Sequence, residues 1–169
     1  LGVGQEVFLS RSPTTEPSAS AEVTLVSRLT APDRRRQVIA DCVALIDEEV
    51  GRKGGFSGAA IKLAYSTVKA VKPGFVAEAV DHLLDDFARR LEPFYQAHRK
   101  QGGARSLPDF MTGESGQVAD ALLGITDERA ARAQGGVVKK SYEKLRPTAR
   151  KHVEEAVPGI ARLIDKHTR

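Results

Sequence analysis

Tryptophan is absent from the 169-residue chain, cysteine and methionine occur once each, and three tyrosines and six phenylalanines supply all the benzenoid aromatic surface. A lone Cys42 excludes an internal disulfide and a cysteine-based zinc site, which points to a reducing, cytoplasmic setting. No stretch alternates apolar and polar residues as a strand does, and no apolar run reads as a membrane span, so no membrane partner is expected. Residues 1–22 lack the basic start and apolar core of a secretory signal. Their Ser, Thr, Pro and Gly break any period, so a disordered tail is expected over 1–23, with a native start near Val23 or Thr24.

What is present favours helix. Alanine is abundant, charged residues make up 28 %, and apolar residues recur at helical spacing. The expected fold is all-α: one domain over 24–169, a bundle of about six to eight helices. A short helix is expected near 24–29 and a clear one from Pro32 to about Val50, ended by Gly51 and Gly54-Gly55. Ser57 to Leu91 reads as a helical hairpin around which the chain is organised, with Ser57 as a cap and Pro73 at the corner. Short helices follow at Pro93–Lys100, Ser115–Ile125 and Thr126–Gln134, with a loop or single turn at 106–111. Val137–Arg146 and Pro147–His167 close the chain as two helices, the second bent or divided at Pro158.

The sequence also echoes itself. A shift of 77 positions brings Gly58 onto Gly135, Ile61 onto Val138, Lys62 onto Lys139, Tyr65 onto Tyr142 and Lys69 onto Arg146. It also lays Glu78-Ala79-Val80 on Glu155-Ala156-Val157. The pattern suggests two duplicated halves, 33–100 and 110–169, against the alternative that Ala-rich helices resemble one another by chance.

Charge is uneven. The net +4 divides into eleven Lys/Arg against four Asp/Glu over 129–169, and fifteen against eighteen before it. Either an anionic partner or attraction between the halves of one fold accounts for this, and the second is preferred. The basic run Lys140, Lys144, Arg146, Arg150 and Lys151 can contact phosphates. With Tyr142 as its one aromatic, and no helix-turn-helix signature, nucleic acid is disfavoured.

Two glycine breaks precede lysine-bearing helices. Gly54-Gly55-Phe56-Ser57-Gly58 with Lys62, and Gly135-Gly136 with Lys139, can expose backbone N–H groups to an anion. The Gly-Lys-Ser/Thr junction of a phosphate loop is missing, so a helix stop and restart is the commoner meaning. Ser57, Gly58, Lys62, Tyr65, Lys139 and Tyr142 form the candidate ligand set, with both tyrosines otherwise serving as core residues. Glu78, His82 and Asp86 share a helix face, but no partner Glu-x-x-His helix accompanies them, so no metal is expected. Cys42 lies in an apolar face and reads as a small hydrophobe. No catalytic residues assemble and no cofactor is implied.

The runs Ser57-Gly-Ala-Ala-Ile-Lys62, Val71-Lys-Pro-Gly-Phe75, Leu91-Glu-Pro-Phe-Tyr95, Ala119–Leu123, Thr126–Ala130 and Tyr142–His152 resemble a family of small bacterial, mostly actinobacterial, proteins labelled as a domain of unknown function. The resemblance covers Thr24 to the end and implies a cytosolic, all-helical protein. It brings no activity and no site residues. Three function classes stand from this reading. The first is a non-catalytic binding or interaction protein, with a homo-oligomer as one form. The second is a carrier of an anionic or amphiphilic small molecule held between the halves, and the third is non-specific nucleic-acid binding through the basic C-terminal helices; an enzyme ranks below all three, since no acid–base pair, nucleophile or metal set assembles.

Overall fold

The computed structural model describes residues 23–132 and 136–169, and the expected tail, but for Val23, lies outside them. Among the described residues are seven α-helices and no strand: α1 (Leu25–Thr30), α2 (Pro32–Arg52), α3 (Gly55–Val71), α4 (Phe75–Lys100), α5 (Leu107–Gly113), α6 (Ser115–Arg132) and α7 (Gly136–Thr168).

Local chemistry sets most of the starts. Thr24 caps α1 by accepting from the Ser27 N–H, Pro32 opens α2 where a missing N–H costs nothing, and Ser106 caps α5 by accepting from the Asp109 N–H. The corner between α3 and α4 is made at Lys72–Gly74, where Gly74 takes φ 83°, a conformation that penalises any side chain. Ser57 does not cap α3; that position belongs to Gly54, and Ser57 lies inside the helix.

Several expected breaks do not occur. α4 runs through Pro93, α6 runs past Ile125 to Arg132, and α7 is one helix containing both Pro147 and Pro158. Proline removes one backbone bond, a cost of about 3 kcal/mol or more in a helix interior. Buried residues on either side offset it: Leu91 and Tyr95 flank Pro93, and Val157 and Ala161 flank Pro158. Fully burying one large apolar side chain contributes roughly 1.5–3 kcal/mol.

The body is a ring of four helices in the order α2, α4, α6, α7 and back to α2, with no backbone contact across either diagonal. α1 lies against α2, α4 and α7, and α5 lies against α4, α6 and α7, so the two short helices close the ring on the same pair of long ones. Leu25, Leu29, Leu107 and Met111 are buried there with Val38, Val118 and Ile164. The expected centre of the chain, the α3–α4 hairpin, is half right. α4 supplies the core stripe Val80, Leu84, Ala88, Leu91 and Tyr95. α3 is peripheral: it touches only α2 and α4, and Val71 is 80 % exposed. Its inward face is narrow, with Ile61 and Tyr65 half-buried, while Phe56 and Leu63 occupy the opposite side.

Each edge of the ring carries ion pairs. Arg35 of α2 holds Asp81 at 2.6 Å and Asp85 at 2.9 Å on α4. Between α4 and α6, Arg90 meets Glu128 and Arg129 lies 3.7 Å from Asp86. Arg146 and Arg150 of α7 grip Asp120 of α6 at 3.0 Å each, and Arg146 also holds Asp127 at 3.0 Å. Asp41 of α2 receives Lys166 at 2.6 Å and His167 at 2.7 Å from the end of α7. The basic C-terminal region therefore spends much of its charge on acids of the preceding segment.

Gly58 marks the closest backbone approach. A Cβ placed there would lie 2.6 Å from the Lys53 carbonyl carbon, whereas one at Gly51 would meet nothing within 4 Å. Gly58→Ala is expected to lower stability by about 1–3 kcal/mol in urea denaturation, through overpacking against backbone that cannot yield. Gly51→Ala, inside α2, is expected to raise it by up to about 1 kcal/mol through helix propensity. Equal effects of the two would contradict the packing described here.

Candidate functional site

Packing inside the ring is uneven. α2 has 21 residues yet one buried residue, Val38; Cys42, Leu45, Ile46 and Val50 farther along are only half-buried. Their counterparts on α7, Val153, Ile160 and Leu163, are half-buried too. These half-buried side chains, Val50 excepted, line an apolar cavity of about 380 Å³, to which all four ring helices contribute: Leu45 and Ile46 from α2, Leu84 and Phe87 from α4, Leu122 and Leu123 from α6, Val153 and Ile160 from α7.

A second apolar compartment of about 240 Å³ adjoins it beneath α3. Leu45, Ile46, Val153 and Ile160 line both spaces, and Ile61 of α3 covers the second. Glu49, Lys53 and His152 line both this compartment and a charged cleft of about 790 Å³ between the start of α3 and the middle of α7. Arg52, Ser57, Thr148 and Lys151 complete the cleft. Taken by their shared walls, the three spaces follow in the order apolar, apolar, charged.

Pairing inside the cleft is partial. Lys53 donates to Glu155 at 2.6 Å, and Arg52 reaches Glu49 at 2.5 Å and Glu48 at 3.2 Å. The Lys53 bond holds the Glu155 carboxyl below its ordinary range, with burial opposing and His152 adding to the effect. Lys151 is exposed, and among the described residues it has no ion-pair partner. In the apolar wall, burial and then Asp41 push the Cys42 thiol up to about 11, so it stays protonated at neutral pH and serves as wall.

The six residues expected to bind a ligand are not brought together. Ser57 lines the charged cleft, and Gly58 is buried against Lys53. Lys62 and Lys139 are exposed on separate helices. Tyr65 donates to Asp47 of α2 at 2.7 Å, and Lys69 reaches the same carboxylate at 2.8 Å. Tyr142 donates to Asp127 of α6 and contacts the Thr126 hydroxyl at 2.9 Å, while Arg146 donates to Asp127 at 3.0 Å. Each tyrosine, with the base four residues on, ties its helix to the one before it. Burial and then Asp47 raise the Tyr65 phenol to about 12. The basic run is divided as well: Arg146 and Arg150 turn to Asp120 and Asp127, whereas Lys140, Lys144 and Lys151 remain exposed.

Sequence reasoning missed the cleft because its two sides lie far apart in the chain; Lys53 and Glu155 are 102 positions apart. His152 carries no ligand spacing, and Arg52 and Lys53 read as the end of a helix. The available signals were Gly54 and Ser57, from the glycine-rich stretch, and Lys151, from the basic run. His82, on the outer side of α4, is exposed and contacts the Glu78 carbonyl oxygen at 2.7 Å. Among the described residues no group of three or more His, Cys, Asp or Glu is placed to hold a metal, and no helix is long and apolar enough to cross a membrane.

The model of a family of unknown function (DUF6918) matches residues 25–168. No curated protein and no solved structure matches the chain.

The ion pairs make an acid limb predictable. Arg150 and then Arg146 hold Asp120 below its ordinary 3.8, and Arg146 does the same for Asp127. Lys69 and Tyr65 lower Asp47, and Lys166 with His167 lowers Asp41 against the opposing effect of its burial. A carboxyl depressed in the folded state gives stability that is complete above its unfolded pKa and is lost as pH falls through the folded one. Thermal midpoints are therefore expected to be flat from neutrality to about pH 5 and to fall below about pH 4. Asp127→Asn should lower the neutral midpoint and shallow that fall; an unchanged profile would count against the clamps.

Proposed function

The chain belongs to this family of unknown function, and we propose that it binds an amphiphilic small molecule, its apolar body inside the four-helix ring and its polar end in the charged cleft. The observation that carries this reading is the order of the three spaces, which matches the order of parts in such a ligand. The two apolar compartments, about 380 and 240 Å³, together fall in the usual range of ligand pockets, about 300–1,000 Å³. Packing forgone in a space the size of the larger one would cost up to about 9 kcal/mol at roughly 24 cal/mol per Å³, most of the stability of an ordinary domain. The half-open form of the space reduces that figure, yet a fold gains little from such a lining unless something apolar enters it.

The ligand lies between the two segments that echo each other. The matching Tyr65–Lys69–Asp47 and Tyr142–Arg146–Asp127 clamps support reading those segments as two copies of one unit.

A second reading, an interaction protein that self-associates, is favoured by the outer face of α3. Phe56, Ala60, Leu63, Thr67 and Ala70 are all exposed and recur at alternating spacings of four and three, the seam of a two-helix coil. Phe56 is 95 % exposed and Leu63 70 %. Two copies set antiparallel about Leu63 place Phe56 opposite Ala70, large against small. Sedimentation at tens of micromolar protein should then show reversible dimer, and Leu63→Glu should abolish it without moving the thermal midpoint, since exposed substitutions shift stability by no more than about 0.5 kcal/mol. Monomer at every concentration would end this reading and leave the first intact.

The carrier reading is tested with Val153→Phe, which fills the junction of the two apolar compartments. Laurate or palmitate should raise the midpoint of the unaltered protein by several degrees at saturation. The variant should melt as high or higher and lose that shift. Absence of any shift in the unaltered protein, across chain lengths, would sink the carrier reading.

A further inference from the structure

Resting on the carrier reading, the geometry points to His152 as the residue that receives the head group, and to a carboxylate or phosphate monoester as the head. His152 is in the wall of both the second apolar compartment, beneath α3, and the charged cleft, so it stands where an apolar body would end and a polar head begin. Both of its ring nitrogens are buried without a hydrogen-bond partner. The nearest acceptor, Glu155 Oε2, lies 3.5 Å from Nδ1, at the outer limit of a bond, and is already taken by Lys53 Nζ at 2.6 Å. An imidazole carries at least one N–H in either charge state. A donor held at the rim of an apolar space without a partner is a liability for folding and an asset for binding.

The charges around it select the sign of the head. Glu49 is engaged by Arg52, and Glu155 by Lys53, so both acids of the cleft already have cations. Lys151 and the His152 ring remain as donors, with the Ser57 hydroxyl on the facing side. A cationic head would have to share carboxylates that already hold Arg52 and Lys53, whereas an anionic head meets donors that no acid engages. This assignment moves the anion contact from Lys62 and Lys139, which stand outside the cleft lining, to side chains on α7 and at the start of α3.

Matched twelve-carbon ligands test it: laurate, dodecyl phosphate and dodecanol, titrated by calorimetry against the full chain, His152→Leu and His152→Gln, with acetate and inorganic phosphate beside them. The unaltered protein should bind both long-chain anions at least tenfold more tightly than dodecanol. His152→Leu should erase that preference by weakening both anions, with dodecanol as the reference within the same variant, and His152→Gln, which keeps an N–H, should retain part of it. An anion preference that survives in His152→Leu while dodecanol still binds would overturn the role of His152 and spare the carrier reading. Failure of all three long-chain ligands with the unaltered protein would overturn the carrier reading, and this assignment with it. Acetate or inorganic phosphate binding as tightly as the long-chain anions would assign the cleft to free anions and overturn the coupling of head to chain.

Discussion

Four helices can surround an apolar space only if something other than close packing fixes their separation. Here ion pairs sit on every edge of the ring: Arg35 with Asp81 and Asp85, Arg90 with Glu128, Arg146 and Arg150 with Asp120, and Asp41 with Lys166 and His167. Partly exposed pairs of this kind contribute little net stability each, typically below about 1 kcal/mol. Their effect is on position. A bidentate guanidinium–carboxylate contact fixes distance and orientation together, and two arginines one turn apart on one aspartate, as at Asp120, fix rotation as well. Most of the favourable free energy comes from elsewhere, from α1 and α5 with the buried stripes they cover.

That separation of tasks explains the gradient along α2 and α7. The two helices run antiparallel, since Asp41 meets His167 while Lys53 meets Glu155. Near the α1 end Val38, Ala161 and Ile164 are fully buried. Toward α3 the facing residues become Leu45, Ile46, Val153 and Ile160, still large and apolar, yet half-buried. Even Gly159 follows this logic. A Cβ there would come within 2.5 Å of a Leu45 methyl, so the glycine lets α2 and α7 approach where Leu45 already lies between them.

Much of this fold was legible because its signals are local. Apolar residues at helical spacing, Pro32 at a helix start and Pro73 at the α3–α4 corner act within a few residues, and they gave the class and the main helices. Interior prolines misled because their cost is local and its compensation is not: Pro93 is tolerated through the burial of Leu91 and Tyr95 against other helices. α3 misled for a different reason. Apolar and small residues on both of its faces fit a central helix as well as an edge one, and only the position of α2 and α4 decides which face is covered. The cleft was beyond reach, since neither Lys53 nor His152 carries a motif and their proximity is a product of the whole ring.

The echo between the segments was legible in sequence, and its consequence lies in where the symmetry fails. Tyr65 and Lys69 clamp α3 to Asp47 as Tyr142 and Arg146 clamp the first half of α7 to Asp127, with the same spacing of tyrosine and base. Beyond the clamp the segments diverge. One turns at Gly74, so that α3 and α4 are separate helices, while the other continues through Pro147 as a single rod. A straight α3–α4 helix would leave no corner at Lys72–Gly74 from which α3 could return toward the end of α2. Gly54 and Ser57, which follow directly on the end of α2, stand on one side of the charged cleft, while the unbroken α7 supplies Lys151 and His152 on the other. Two matching clamps hold the arms, and the one unmatched turn gives them an asymmetric space to enclose.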